Sequence, residues 1–156
     1  MTQLSLLPQA THFFTLRLAA LGSTVLVDRI EQLRLAYAVT THDLPVQCHA
    51  MVVLPDHLHA IWTEVGEPRF AERWRRIKAR FAQGIGGRAG LWEPEVRHLA
   101  IGSAEEFERR MTYCRMDPVK HGLAKRWQDW PCSSFTKTSA APRPATMAFA
   151  AQEVAA

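Results

Sequence analysis

Val52-Val-Leu-Pro-Asp-His-Leu-His-Ala-Ile-Trp-Thr63 decides the reading of this chain, because it sets two apolar runs on either side of a turn. Val46 to Leu54 has the composition of a strand, Pro55-Asp56 is turn chemistry, and His57 to Thr63 returns as a second strand. The stretch therefore predicts a β-hairpin with two histidines just beyond its turn. Successive strand residues point to opposite faces, which puts His57 and His59 on one face and Leu58, Ala60 and Trp62 on the other. Two imidazoles at that spacing can share one metal ion. They can equally be two surface or buried histidines with no ion between them.

Working outward, Thr11-His-Phe-Phe-Thr-Leu-Arg-Leu18 is rich in strand formers and bounded by Pro8 and Gly22, so it predicts a first strand. Ser23 or Thr24 then caps a helix whose apolar stripe is Leu26, Ile30, Leu33 and Tyr37, ending before Pro45. Beyond the hairpin a second helix runs over 68–83, with Phe70, Trp74, Ile77 and Phe81 on one face, until Gly84-Ile-Gly-Gly-Arg-Ala-Gly90 breaks it. Arg97 to Ile101 reads as a short fourth strand. Ser103 followed by Glu106 fits a capping box opening a third helix, whose buried stripe is Phe107, Met111 and Cys114 and which Pro118 ends. The order strand, helix, hairpin, helix, strand, helix predicts an α+β fold: an antiparallel sheet with helices packed on one face and the other face open for a site.

The length of 156 residues suits one domain, assigned to 1–137. After Phe135 the composition falls to Ala, Pro, Ser and Thr without periodicity, so 138–156 is expected to be a disordered Ala/Pro-rich tail. No run approaches the roughly 18 apolar residues of a membrane span, and the segment from Met1 to Ala10 lacks the basic start of a secretory signal. A cytoplasmic protein without membrane contact is expected. Cys48, Cys114 and Cys132 are odd in number and widely spaced, which favours reduced thiols over a disulfide framework or a zinc site. The net charge of +4 and pI near 9.3 favour an anionic partner. The glycine-rich run lacks the Lys-Ser/Thr ending of a phosphate-binding loop, so no nucleotide cofactor is expected.

Tyr113 and Asp117 are four residues apart and hence neighbours on one face of the third helix. That face is turned from the Phe107, Met111, Cys114 stripe by about a quarter to a third of a turn at ~100° per residue. A tyrosine used for packing belongs on the stripe, as Tyr37 is; Tyr113 is either an amphipathic boundary residue or chemically active. Arg73, Arg75, Arg76, Lys78 and Arg80 crowd the second helix beside Glu72, giving a phosphate-binding surface or simply a solvated face. Lys120 and His121 follow the tyrosine closely enough to reach a phosphate there. Trp127 and Trp130 fit core packing or base stacking.

Together with Arg73-Trp-Arg-Arg-Ile-Lys78, Tyr113-Cys-Arg-Met-Asp-Pro-Val-Lys-His-Gly122 and Asp129-Trp-Pro-Cys-Ser-Ser-Phe135, the hairpin stretch resembles the REP-associated tyrosine transposases of the HUH endonuclease superfamily. The resemblance spans about Phe13 to Phe135, with the four motifs in order. It implies a ferredoxin-like HUH endonuclease fold, His57 and His59 as metal ligands completed by Asp117, and Tyr113 as the nucleophile. It also implies a divalent metal, Mg²⁺ or Mn²⁺, and a single-stranded DNA partner folded as a repetitive extragenic palindromic hairpin. Such DNA would be cut and rejoined through a 5′-phosphotyrosine, with Arg73, Arg75, Arg76, Lys78, Arg80, Lys120 and His121 as candidate DNA contacts.

Two departures from the family pattern stand out: Asp117 replaces the usual Asn, and Glu95-Val-Arg-His98 keeps only the final His of an aromatic-Trp-Glu-His sequence. The changed Asp117 motivates an alternative, a domesticated hairpin-DNA-binding protein with weak or no cleavage. A metal-dependent phosphohydrolase of small substrates is a further reading, for which the sequence supplies no pocket. A monomer is expected over a homodimer.

Overall fold

The computed structural model describes residues 10–87 and 89–136, so the expected tail at 138–156 and the ends of the 1–137 domain lie outside the described residues. In chain order the elements are β1 (Thr11–Arg17), α1 (Val25–Asp28), α2 (Ile30–Asp43), β2 (Val46–Val53), β3 (His57–Glu64), α3 (Phe70–Gly84), β4 (Arg97–Ala100), α4 (Ala104–Lys120) and a 3₁₀ turn at Trp127–Asp129. The four strands form one antiparallel sheet in the order β2-β3-β1-β4, which makes the fold α+β as the sequence predicts.

All eight residues of β3 are buried, so the strand is covered on both faces. Leu58, Ala60 and Trp62 join Phe14 and Leu16 of β1 against Leu33 and Tyr37 of α2 and Trp74, Ile77 and Phe81 of α3. Trp62 stacks on Trp74 with ring centroids 4.5 Å apart. On the opposite face Phe13, Ala50, Val52 and Ile61 pack with Cys114, Phe107 and Met111 of α4. Packing on one face thus describes α2 and α3, whereas α4 covers part of the face expected to be open. The reason is apolar demand: the α4 stripe needs partners, and Phe13, Ala50, Val52 and Ile61 supply them on a face that also carries Thr15, Arg17, His57 and His59.

Two helix boundaries differ from expectation. The first helix breaks at Arg29 into α1 and α2, and α4 runs through Pro118 to Lys120. Pro118 forgoes one late hydrogen bond, to the Cys114 carbonyl, while the His121 N–H still reaches the Asp117 carbonyl at 3.0 Å. Gly122, at φ 73°, turns the chain away. At the other end the Ser103 hydroxyl accepts from the Glu106 N–H at 3.1 Å, as a capping residue should. Glu106 itself turns to Arg109 and Arg110 rather than closing the box.

Arg73 is 2% exposed, which removes it from the expected phosphate-binding surface. Its Nε donates to the Leu44 carbonyl at 2.8 Å and Nη2 to the Pro45 carbonyl at 3.0 Å, while Nη1 pairs with Glu64. Glu64 also accepts from the Trp62 indole N–H and the Arg69 amide, both at 2.7 Å. The helical period explains the correction: position 73 lies three after Phe70 and four before Ile77, inside the buried stripe. The pair ties α3 to β3 and to the α2–β2 connection. Among the described residues no helix is long and apolar enough to cross a membrane.

Removing one partner of a buried, hydrogen-bonded pair strands the other. Arg73→Met is expected to destabilise the fold by about 3–5 kcal/mol, read from urea unfolding. Arg75→Ala, on the exposed side of α3, should leave the midpoint nearly unchanged.

Candidate active site

The β3 alternation and α4 bring four of the expected residues together with His121. Asp117 Oδ2 lies 3.2 Å from His59 Nε2 and 3.6 Å from His57 Nε2, and Oδ1 lies 3.5 Å from His121 Nε2. The far side of each strand histidine is held. His57 Nδ1 donates to Asp56 Oδ1 at 2.9 Å, and His59 Nδ1 shares a 2.9 Å hydrogen bond with the Thr15 hydroxyl. Anchoring Nδ1 turns both Nε2 atoms inward, the arrangement by which proteins orient imidazole ligands.

Asp117 is completely buried, and neither carboxylate oxygen has a well-formed hydrogen bond despite the nearby ring nitrogens. Such an orphaned charge is costly unless a cation compensates it. Ligand atoms of His57, Asp117 and His121 all lie within 4.8 Å of one another, and His59 touches the same carboxylate. Carboxylate oxygen with imidazole nitrogen suits a divalent cation of intermediate hardness, so the residues present fit a metal. His121, expected as a DNA contact, is thereby also a candidate ligand. The signal for that second role was its spacing of four from Asp117.

Electrostatics follow the geometry. Burial works to lower the His57 pKa, but the Asp117 and Asp56 carboxylates outweigh it and hold His57 above the ordinary histidine value. For His59 burial prevails over Asp117, and its pKa is lowered. Burial alone would raise Asp117, yet the adjoining imidazoles hold it well below the usual carboxylate range.

Tyr113 stands one turn before Asp117, half-buried, its ring edge-on to His59 with centroids 5.4 Å apart and edge-on to Phe13 at 5.8 Å. Lys120 places its ammonium 4.1 Å from the centre of the Tyr113 ring. Burial and then the Asp117 charge raise the phenol's pKa, so ionising it in place requires added positive charge.

The remaining basic residues lie elsewhere. Because α3 packs on the other face of the sheet, Arg75, Arg76, Lys78 and Arg80 do not meet Tyr113. Arg75 and Arg76 share Glu72 at 2.6 Å each, Lys78 donates to the Glu93 carbonyl at 3.0 Å, and Arg80 donates to the Thr40 hydroxyl at 2.7 Å. Trp130 packs between the two core clusters and donates to the Val53 carbonyl at 2.9 Å, which favours its packing role. Trp127 lies under the Arg115 guanidinium, 5.6 Å away. Sequence reasoning missed Asp56, Thr15 and Arg17. Asp56 was visible beside His57, but the other two depend on strand register. A cleft of about 290 Å³ opens beside His57 and His121, bordered by Gly22, Ser23, Thr24 and Asp56.

Three likenesses bear on what this arrangement belongs to. The chain is 37% identical over 126 residues to the REP-associated tyrosine transposase of Escherichia coli K12, covering 80% of this chain and 76% of that protein. A Haemophilus influenzae protein named for the same family is 27% identical over 138 residues, covering 80% of this chain and 78% of the relative. In three dimensions the chain matches a REP-associated tyrosine transposase solved bound to a REP hairpin, with a TM-score of 0.79 and 33% identity over 88% of this chain and 93% of that one. No family model matches the chain. With that identity and coverage, and with paired histidines facing a tyrosine helix, the chain belongs to the REP-associated tyrosine transposases.

Proposed function

We infer that this protein is a metal-dependent single-stranded DNA endonuclease and transposase, acting in the cytoplasm on hairpins of repetitive extragenic palindromic DNA. The observation that supports this most is the meeting of Tyr113 and Asp117, one helical turn apart, with the inward nitrogens of His57 and His59. The solved relative carries a REP hairpin, which is the ligand class this reading assigns to the chain.

In this reading His57, His59 and Asp117 hold a divalent ion, Mg²⁺ or Mn²⁺, with His121 close enough to join them. When bound, such an ion polarises a phosphate and steadies departing negative charge. Tyr113 attacks the scissile phosphorus: it gives up its phenolic proton to solvent, its oxygen bonds to phosphorus as the bond to the 3′-oxygen breaks, and the 3′-oxygen takes a proton from solvent, leaving a 5′-phosphotyrosine and a free 3′-hydroxyl. That bond conserves the phosphodiester energy, so attack by a 3′-hydroxyl rejoins strands without a nucleotide cofactor. Burial and Asp117 oppose the phenolate while the charges of Arg110 and Arg17 favour it, and Lys120 sits over the Tyr113 ring. Lys120 and His121 contact the strand being cut. Arg75, Arg76, Lys78 and Arg80, on the other layer, are left to the flanks of the hairpin, and the protein acts as a monomer.

Incubation with single-stranded hairpin DNA and Mn²⁺ should give a covalent protein–DNA adduct on a denaturing gel. Tyr113→Phe should abolish it, a loss of at least ~10³-fold, because no other group replaces the nucleophile. Tyr37→Phe, altering a buried packing residue of α2, should retain it. Tight hairpin binding with no adduct in any divalent metal would instead support a binding protein without cleavage.

Metal uptake should compete with protons. The raised His57 pKa means that a proton must leave before its Nε2 can bind a cation. Mn²⁺ affinity, measured by titration calorimetry, is expected to fall as pH drops through the raised His57 pKa, hence from above the ordinary histidine value, approaching about tenfold per pH unit below it for one proton displaced. Affinity unchanged between pH 8 and pH 5.5 would contradict this ligand set.

A further inference from the structure

Arg17 ends β1 directly across from His57 in the β1–β3 register, two residues after Thr15, whose hydroxyl holds His59. Residues two apart on a strand share a face, so the Arg17 side chain rises beside both imidazoles. The residue is half-buried, and its guanidinium makes no salt bridge or hydrogen bond with another described residue. This sets it apart from Arg110 on the facing helix, which pairs with Glu106 at 2.9 Å, and from Arg75 and Arg76, which share Glu72. The charge of Arg17 is felt at His57, His59 and Tyr113 alike.

A phosphodiester entering this site meets the full negative charge of Asp117, which repels it. A guanidinium on a central strand offers forked donors matched to phosphate oxygens, with no partner to give up among the described residues. We propose that Arg17 is the phosphate-binding residue of the site, holding a non-bridging oxygen of the scissile phosphate beside Tyr113 and offsetting the charge of Asp117. The assignment rests on the nuclease reading above. It concerns a residue that neither the paired histidines nor the tyrosine helix supplies.

The test compares the parent with Arg17→Gln and Arg17→Lys, using a hairpin that carries a single-stranded flank and the same hairpin without it. With the parent forming adduct, Arg17→Gln should slow adduct formation by about 100-fold or more, as expected for loss of one charged donor at the reacting phosphate. Binding of the bare hairpin should stay within ~3-fold, because a remote stem gains little from one site cation. Arg17→Lys should recover most of the rate, and thermal midpoints should match, since the side chain has no hydrogen-bond or ion-pair partner among the described residues. Adduct formation by Arg17→Gln at the parental rate would overturn the proposal while leaving the nuclease reading intact. Should the parent itself form no adduct, the nuclease reading falls and binding decides: weaker binding of the flanked hairpin alone supports a phosphate contact at Arg17. Equal effects on both hairpins, or none, refute it.

Discussion

β3 is buried on both faces, and the site depends on that constraint. Its even-numbered residues are held by α2 and α3, so the strand cannot slip by one residue without driving Trp62 out of its stack with Trp74. Locking one face fixes the other. His57, His59 and Ile61 are therefore committed to the layer under α4, and the antiparallel register with β1 sets Thr15 and Arg17 beside the two imidazoles. The α4 stripe docks on the same layer through Phe13, Ala50 and Ile61, which carries Tyr113 and Asp117 to the histidines. Apolar packing is thus what positions the polar site.

The polar site is itself poorly satisfied without a cation. A carboxylate with no exposure sits among three imidazoles, and it does not form good hydrogen bonds with any of them. The same charge raises the Tyr113 phenol. In the proposed reaction, one acidic side chain would prepare the place for a divalent ion and, with burial, oppose ionisation of the tyrosine until positive charge arrives. Coupling of that kind would tie activation of the proposed nucleophile to a loaded site. It also makes flanking cations, Lys120 on α4 and Arg17 on β1, matter more than they would beside a neutral residue.

The parts of this arrangement legible in the sequence are those fixed by local periodicity. A period of two places His57 and His59 together, and a spacing of four places Tyr113 beside Asp117 and off the apolar stripe. What the sequence hid depends on contacts between distant segments. Thr15 and Arg17 become site neighbours only through the β1–β3 register, which no local pattern specifies. The sheet face chosen by α4 follows from which surface still lacked apolar cover after α2 and α3 had packed. Arg73 misled because its charge suggested solvent, while its helical position and Glu64, nine residues earlier, made it a buried clamp. Pro118 misled in the other direction: so near the end of α4, a missing N–H costs a single bond and does not stop the helix.

Most directly at stake is whether His57, His59 and Asp117 converge on one cation. Crystals grown with Mn²⁺ and measured at its anomalous absorption edge test this without reference to activity. An anomalous peak bonded to Nε2 of His57 and of His59 and to the Asp117 carboxylate, with the Tyr113 ring beside it, is the expected result. A well-ordered site with no such peak, or manganese held by other residues while those two nitrogens face away from Asp117, would contradict it.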